Sequence, residues 1–231
     1  MAVNTLLFPL GIIPSLLILY LVIGKYEGKF REKNVLITFV AGILIGIVIY
    51  LIEGMILYPL VMIKEYLYLN FIIIFSFAFS FLEQMAKLAS LNLRRFFDEG
   101  TPLYGASFGL GFSSTFAVLL FGKSFEVTKE SMSLFLAPFV VILINCSTGI
   151  LIGIGIKRNL RIKYLLISTI VSVVTWIVLM VSIAYFFVYE YGITLYLSIF
   201  AMAYSIFIFV IIYKRYLPYS MLSRRELKKL L

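Results

Sequence analysis

The sequence predicts an all-α, polytopic membrane protein: one helix-bundle domain over residues 1–231, seven transmembrane helices, the N-terminus outside and the C-terminus cytoplasmic. Three observations predict it. Long apolar runs recur along the chain. Hydrophobic residues make up 63% of it, with a mean hydropathy of +1.09. The loops between the runs alternate in basic charge. A helix needs about 20 apolar residues to cross about 30 Å of hydrocarbon, and this composition lies outside the range of ordinary soluble domains.

The first span is expected near Leu6–Gly24. Pro9 and Pro14 fall in its outer half, where proline bends or delays a helix. No basic residue precedes the span and no small-residue cleavage site follows, so it reads as a span rather than a cleaved signal. The second, Val35–Tyr58, carries Glu53 toward its outer end, within reach of the headgroups. The third, Tyr66–Leu91, contains charged residues. The fourth, Leu103–Phe121, is glycine-rich. The fifth, Met132–Ile156, holds Pro138, expected to kink the helix and free a carbonyl, and a polar step at Asn145, Cys146, Ser147 and Thr148. The sixth, Tyr164–Phe187, has Trp176 near its middle, expected to pack against protein with its N–H seeking a partner. The seventh is Ile193–Tyr213. The stretches between spans are too short for a soluble domain.

Orientation follows from the basic residues, because short loops rich in Lys and Arg stay cytoplasmic. Sixteen of the twenty fall on one side: Lys25 to Lys33, Arg94 and Arg95, Lys157 to Lys163, and the tail from Lys214 onward. The other side holds Lys64, Lys123 and Lys129, and Lys87 lies inside a span. The net charge of +9 is thus a topology signal first. The expected surroundings are a lipid bilayer, with anionic headgroups at the cytoplasmic side and other transmembrane proteins as candidate partners. Nucleic acid is not an expected partner, since the basic residues are scattered over four segments. The default location is the cell membrane. Tyr58, Tyr66 and Tyr68 are expected at the outer interface, and Tyr213, Tyr216 and Tyr219 at the inner one.

Glycines recur at helix-packing spacing: Gly42 and Gly46, Gly105 and Gly109, Gly149 and Gly153. Each Gly-x-x-x-Gly pair lets two helices approach closely. The first and third share the pentapeptide Gly-Ile-Leu-Ile-Gly, and the similarity stops there, so no internal duplication is inferred.

A charge inside a span costs roughly 2.5–3.5 kcal/mol on insertion scales. Span three nonetheless carries Glu83, Gln84 and Lys87. Glu83 and Lys87 are four apart and share a face. Ser76, Ser80, Glu83, Lys87, Ser90 and Arg94 extend that face as one polar stripe, expected to look into the bundle. Asn145 is placed to hydrogen-bond across to it. Candidate catalytic residues are Glu83 and Lys87, and candidate binding residues on and across from this stripe are Gln84 and Asn145. Histidine is absent and Cys146 is the one cysteine, which excludes a histidine-bound zinc, a thiolate metal cluster and a Ser-His-Asp triad. No metal and no cofactor is expected.

The run Phe81-Leu-Glu-Gln-Met-Ala-Lys87, followed by Phe97-Asp-Glu-Gly-Thr-Pro-Leu-Tyr-Gly-Ala-Ser-Phe-Gly-Leu-Gly-Phe112, resembles the PrsW family of intramembrane proteases, relatives of the CAAX-processing proteases. The first family motif, Glu-Glu-x-x-Lys, reads here Glu83-Gln84-x-x-Lys87. Asp98, Tyr104, Gly105, Gly109, Gly111 and Phe112 match the glycine-rich pattern in order and spacing, and the resemblance adds Asp98 to the candidate binding residues. The resemblance implies a glutamate that activates water for peptide hydrolysis. Three positions depart from it. The Phe-x-x-x-Glu motif lands on Phe116, the histidine position falls near Val141, and the second glutamate is Gln84. Removing one member of a cooperating set removes most of its rate. The leading expectation is therefore a non-catalytic relative: a scaffold or binder of transmembrane partners. The alternatives are an active glutamate-dependent protease with a rearranged site and a small ion or proton-coupled transporter.

Overall fold

Apolar runs this long must satisfy their backbone polar groups internally when they enter lipid, and a helix does so. In a computed structural model, which describes residues 3–62, 69–117, 134–187 and 191–222, the regular elements among the described residues are all helical. They are α1 (Val3–Ile23), α2 (Glu32–Met62), α3 (Leu69–Leu91), α4 (Thr101–Ser113), α5 (Ala137–Lys157), α6 (Arg161–Phe187), α7 (Tyr191–Ile211) and a short α8 (Leu217–Met221). A π-helical turn, Ile212–Tyr216, joins α7 to α8.

Five segments are long and apolar enough to cross a membrane: α2, α3, α5, α6, and α7 with its continuation to Met221. This fits an integral membrane protein. The distribution of side chains fits it too. Leu17, Tyr20, Met55, Ile170 and Phe207 are exposed, while Glu53, Glu83, Lys87 and Asn145 are buried. Such an inside-out arrangement suits a solvent of acyl chains.

The two other expected spans differ. The apolar helix at the start of the chain is described with its side chains from Gly11 to Tyr26. The fourth, α4, has 13 residues, about 20 Å at 1.5 Å per residue, and the end of the expected span, 118–121, lies outside the described residues. So do Tyr66, Tyr68, Lys64, Lys123, Lys129 and the last basic residues of the tail.

Two proline expectations need correction. α1 runs uninterrupted through Pro9 and Pro14. Pro138 makes no mid-helix kink, because α5 begins at Ala137 and the proline occupies its first turn. Its missing N–H is one that a helix leaves unpaired there anyway, so no carbonyl is freed.

Every residue of α4 is buried, and glycine makes that possible. Gly105 meets the backbone of Gly149, Gly109 meets Asn145, and Gly153 meets Thr101 and Pro102, so α4 and α5 lie antiparallel with their backbones touching. On the opposite flank, Gly42 and Gly46 of α2 rest on the backbone at Phe108 and Phe112, while Gly111 rests on Phe39. Ser107 donates to the Val35 carbonyl at 2.7 Å. Gly11 of α1 abuts Ser114 just past the end of α4. Helix α4 is thus enclosed by α1, α2 and α5, with α3, α6 and α7 packed further around α5.

The basic segments meet at one end of the bundle. Arg95 Nε donates to Asn34 Oδ1 at 3.2 Å. Lys157 Nζ donates to the carbonyls of Glu99 at 3.2 Å and Ser220 at 2.6 Å, and Lys29 Nζ to that of Met221 at 3.4 Å. Ser220 and Met221 are the last residues of α8, so two ammonium groups cap its carbonyl end.

Candidate functional site: a buried acid–base cluster

Helix α3 places Glu83, Gln84 and Lys87 on its inner face, all fully buried, with Ser76 and Ser80 above them. An ammonium has three donors, and Lys87 uses all three. It donates to Gln84 Oε1 at 3.0 Å, to Thr148 Oγ1 at 2.9 Å and, in a very short contact, to Asn145 Oδ1. The last two acceptors lie on α5, one turn apart. The Phe112 ring of α4 lies 5.4 Å from the same ammonium. Glu83 Oε2 lies 4.0 Å away, an ion pair at its outer limit rather than a hydrogen bond. Lys87 thus takes neutral oxygens as its direct partners and holds the carboxylate by charge alone.

Asn145 is equally committed. Its Nδ2 donates to the Val141 carbonyl at 3.0 Å and to the Tyr50 hydroxyl at 3.4 Å. Tyr50, on α2, packs edge-on against Phe112 and Phe116 of the α4 segment, at 5.0 and 5.2 Å between ring centres. Trp176 of α6 packs edge-on against Phe79 at 5.7 Å and Phe116 at 6.2 Å. Tyr50 and Trp176 both stand beside Glu83 as its polar neighbours, though neither Glu83 oxygen makes a close, well-aligned hydrogen bond among the described residues.

The cluster includes a residue expected elsewhere. Glu53 does not reach for the headgroups: it is 2% exposed, within electrostatic reach of Glu83 and Lys87. Helix α2 continues to Met62, so Glu53 lies within the helix rather than at its end. Both Glu53 oxygens also lack hydrogen-bond partners. Two carboxyl groups therefore face one ammonium, and a single proton on the pair makes the cluster neutral.

Sequence reasoning named Glu83, Gln84, Lys87 and Asn145, and the fold brings these four together. It missed Glu53, Tyr50, Thr148 as a lysine ligand, and Trp176 as a neighbour of Glu83. Tyr50 and Glu53 are three apart on α2, a spacing that puts them on one helix face. That was the available signal.

Asp98 does not join the cluster. It sits in the loop before α4, where Oδ1 accepts from the Gly100 N–H at 2.8 Å and Oδ2 from the Tyr104 hydroxyl at 2.9 Å. The Tyr104 oxygen accepts in turn from the Arg31 N–H at 2.8 Å. This is a staple between two loops. Tyr104→Phe is expected to destabilise the protein by about 1 to 2 kcal/mol, leaving a partly buried N–H and a carboxylate short of partners. Reversible unfolding in detergent would measure it, and an unchanged midpoint would refute the staple.

Fold and cluster together define a class: a helical membrane protein with a desolvated acid–base centre at the junction of α2, α3, α4 and α5. Among the described residues no group of three or more His, Cys, Asp or Glu is placed to hold a metal. No family model, no curated protein and no solved structure matches this chain.

Proposed function

We propose that the protein is a seven-span, PrsW-like membrane protein without peptidase activity, acting as a scaffold or binder for other transmembrane helices. In this reading the N-terminus is outside and the basic end faces the cytoplasm of the cell. The gathering of the basic segments at one end supports that orientation.

One observation carries the non-catalytic reading. The two residues that would orient a catalytic glutamate and polarise a carbonyl have no capacity left. Lys87 makes three hydrogen bonds to neutral acceptors. Asn145 uses its oxygen on Lys87 and its nitrogen on Val141 and Tyr50. A general base needs an orienting partner within hydrogen-bond reach and access to the water it activates. Glu83 is fully buried, and its charged neighbour Lys87 stands 4.0 Å away, beyond hydrogen-bond distance.

A second reading rests on a different observation. Glu53 and Glu83 are two buried carboxyl groups within electrostatic reach of each other. A water admitted between them would stand near both an acid and a base, as an active intramembrane protease requires.

One assay separates the two. The purified protein in bilayer nanodiscs is incubated with transmembrane-segment peptides, and the products are resolved by mass spectrometry. The expected outcome is intact peptide at the level of a Glu83→Gln control. Cleavage that disappears in Glu83→Gln and in Glu53→Gln would establish the protease instead.

A further inference from the structure

At the basic end, α5 stops at Lys157, and Arg158 follows as its C-cap. Close by, the chain leaving α7 opens into the π-helical turn Ile212–Tyr216. Such turns are rare, and they recur at functional sites because they displace side chains from the regular helical path. Here the turn carries Arg215 and Tyr216. Between them and Arg158 lies a cleft of about 390 Å³, with Tyr164, Tyr216 and Tyr219 as its other polar-tipped walls and Ile154 as its apolar floor.

The charge of this cleft is one-sided. Among the described residues, neither arginine side chain has a carboxylate within ion-pair distance, and neither makes a hydrogen bond. The neighbouring cleft, about 690 Å³, differs in that Asp98 and Glu99 stand there beside Lys157 and Arg158. The larger cleft is balanced. The smaller one is lined by two arginines and, among the described residues, by no carboxylate.

We infer that the cleft between Arg158 and Arg215 is a binding site for a phosphate group, of the kind carried by an anionic membrane lipid. Guanidinium forks match phosphate oxygens two at a time, and tyrosine hydroxyls supply further donors. On the first turns of α6, at the same end of the bundle, Ile162 and Leu166 are exposed at 74% and 52%, as side chains facing acyl chains would be. The tyrosines mark the depth at which headgroups meet hydrocarbon.

The test uses the full chain in detergent, titrated in separate arms with short-chain phosphatidylglycerol and with inorganic phosphate. Saturable phosphatidylglycerol binding is expected, weakened at least about tenfold by Arg158→Gln and by Arg215→Gln. Arg215→Lys should recover only part, since an ammonium lacks the fork. Lys33→Gln and Lys163→Gln, at exposed positions of the same end, should bind as the parent does. Trp176 emission checks that each variant is folded. If inorganic phosphate saturates the site with the same arginine dependence, the site stands and its natural occupant is a soluble phosphate. If all four glutamine variants weaken binding equally, the attraction is a diffuse surface charge and the site is refuted. Absence of saturable binding in both arms refutes it too.

Discussion

Lys87→Met is expected to destabilise the protein by about 3 to 5 kcal/mol, the range for removing one partner of a buried ion pair. The substitution is close to isosteric, so packing changes little. What it removes is the one cation that faces Glu53 and Glu83 among the described residues, together with three hydrogen bonds that tie α3 to itself and to α5. Gln84, Asn145 and Thr148 are left with acceptors turned toward a methyl group. Charge-neutral compensation follows from the same logic. Glu53→Gln and Glu83→Gln combined with Lys87→Met should regain part of the loss, because no uncompensated carboxylate remains. Trp176 is the single tryptophan of the chain and packs within the aromatic group around Glu83, so its fluorescence reports the transition directly. A Lys87→Met protein that unfolds within about 1 kcal/mol of the parent would mean that the ammonium does not hold the centre together.

The second large effect concerns glycine, and its sign depends on position. In an open helical site, Gly→Ala stabilises by up to about 1 kcal/mol. Gly54 on α2 is such a site, with open space where its Cβ would go, and Gly54→Ala is expected to be neutral or mildly stabilising. Gly105 and Gly149 are the reverse. A Cβ on either falls onto the carbonyl of the other, and backbone cannot rotate away as a side chain does. Gly105→Ala is expected to cost about 3 kcal/mol or more, the upper range for overpacking, and Gly105→Leu to prevent accumulation of folded protein. The paired unfolding midpoints of Gly54→Ala and Gly105→Ala measure this contrast. Equal midpoints would refute the close approach of α4 and α5.

The helical class was legible because lipid admits few backbone solutions and because a 3.6-residue period is a local property. The inward direction of the Ser76–Lys87 stripe was legible for the same reason: charge at that depth has nowhere else to go. Depth within a helix was less so. Glu53 was assigned to the outer end because Tyr58 looked like a boundary, yet α2 continues to Met62. Helix ends depend on what packs against them, which no single segment encodes. Pro138 illustrates the same point from the other side, since a proline in a helical stretch reads as a kink until the start of the helix is known. Asp98 was a candidate binding residue because it matches the pattern that opens the glycine-rich run. The loop geometry turned it instead to Gly100, Tyr104 and Arg31. That turn is a short-range hydrogen-bond decision, invisible to hydropathy.

Helix α4 has no surface of its own. Its walls come from segments made both earlier and later in the chain, and α5 supplies the glycine face against which it closes. A ribosome releasing this chain therefore delivers the keystone before the arch is built. The half-finished molecule must shelter a glycine-rich segment with bare backbone on its flank, until residues 137–157 emerge to close over it.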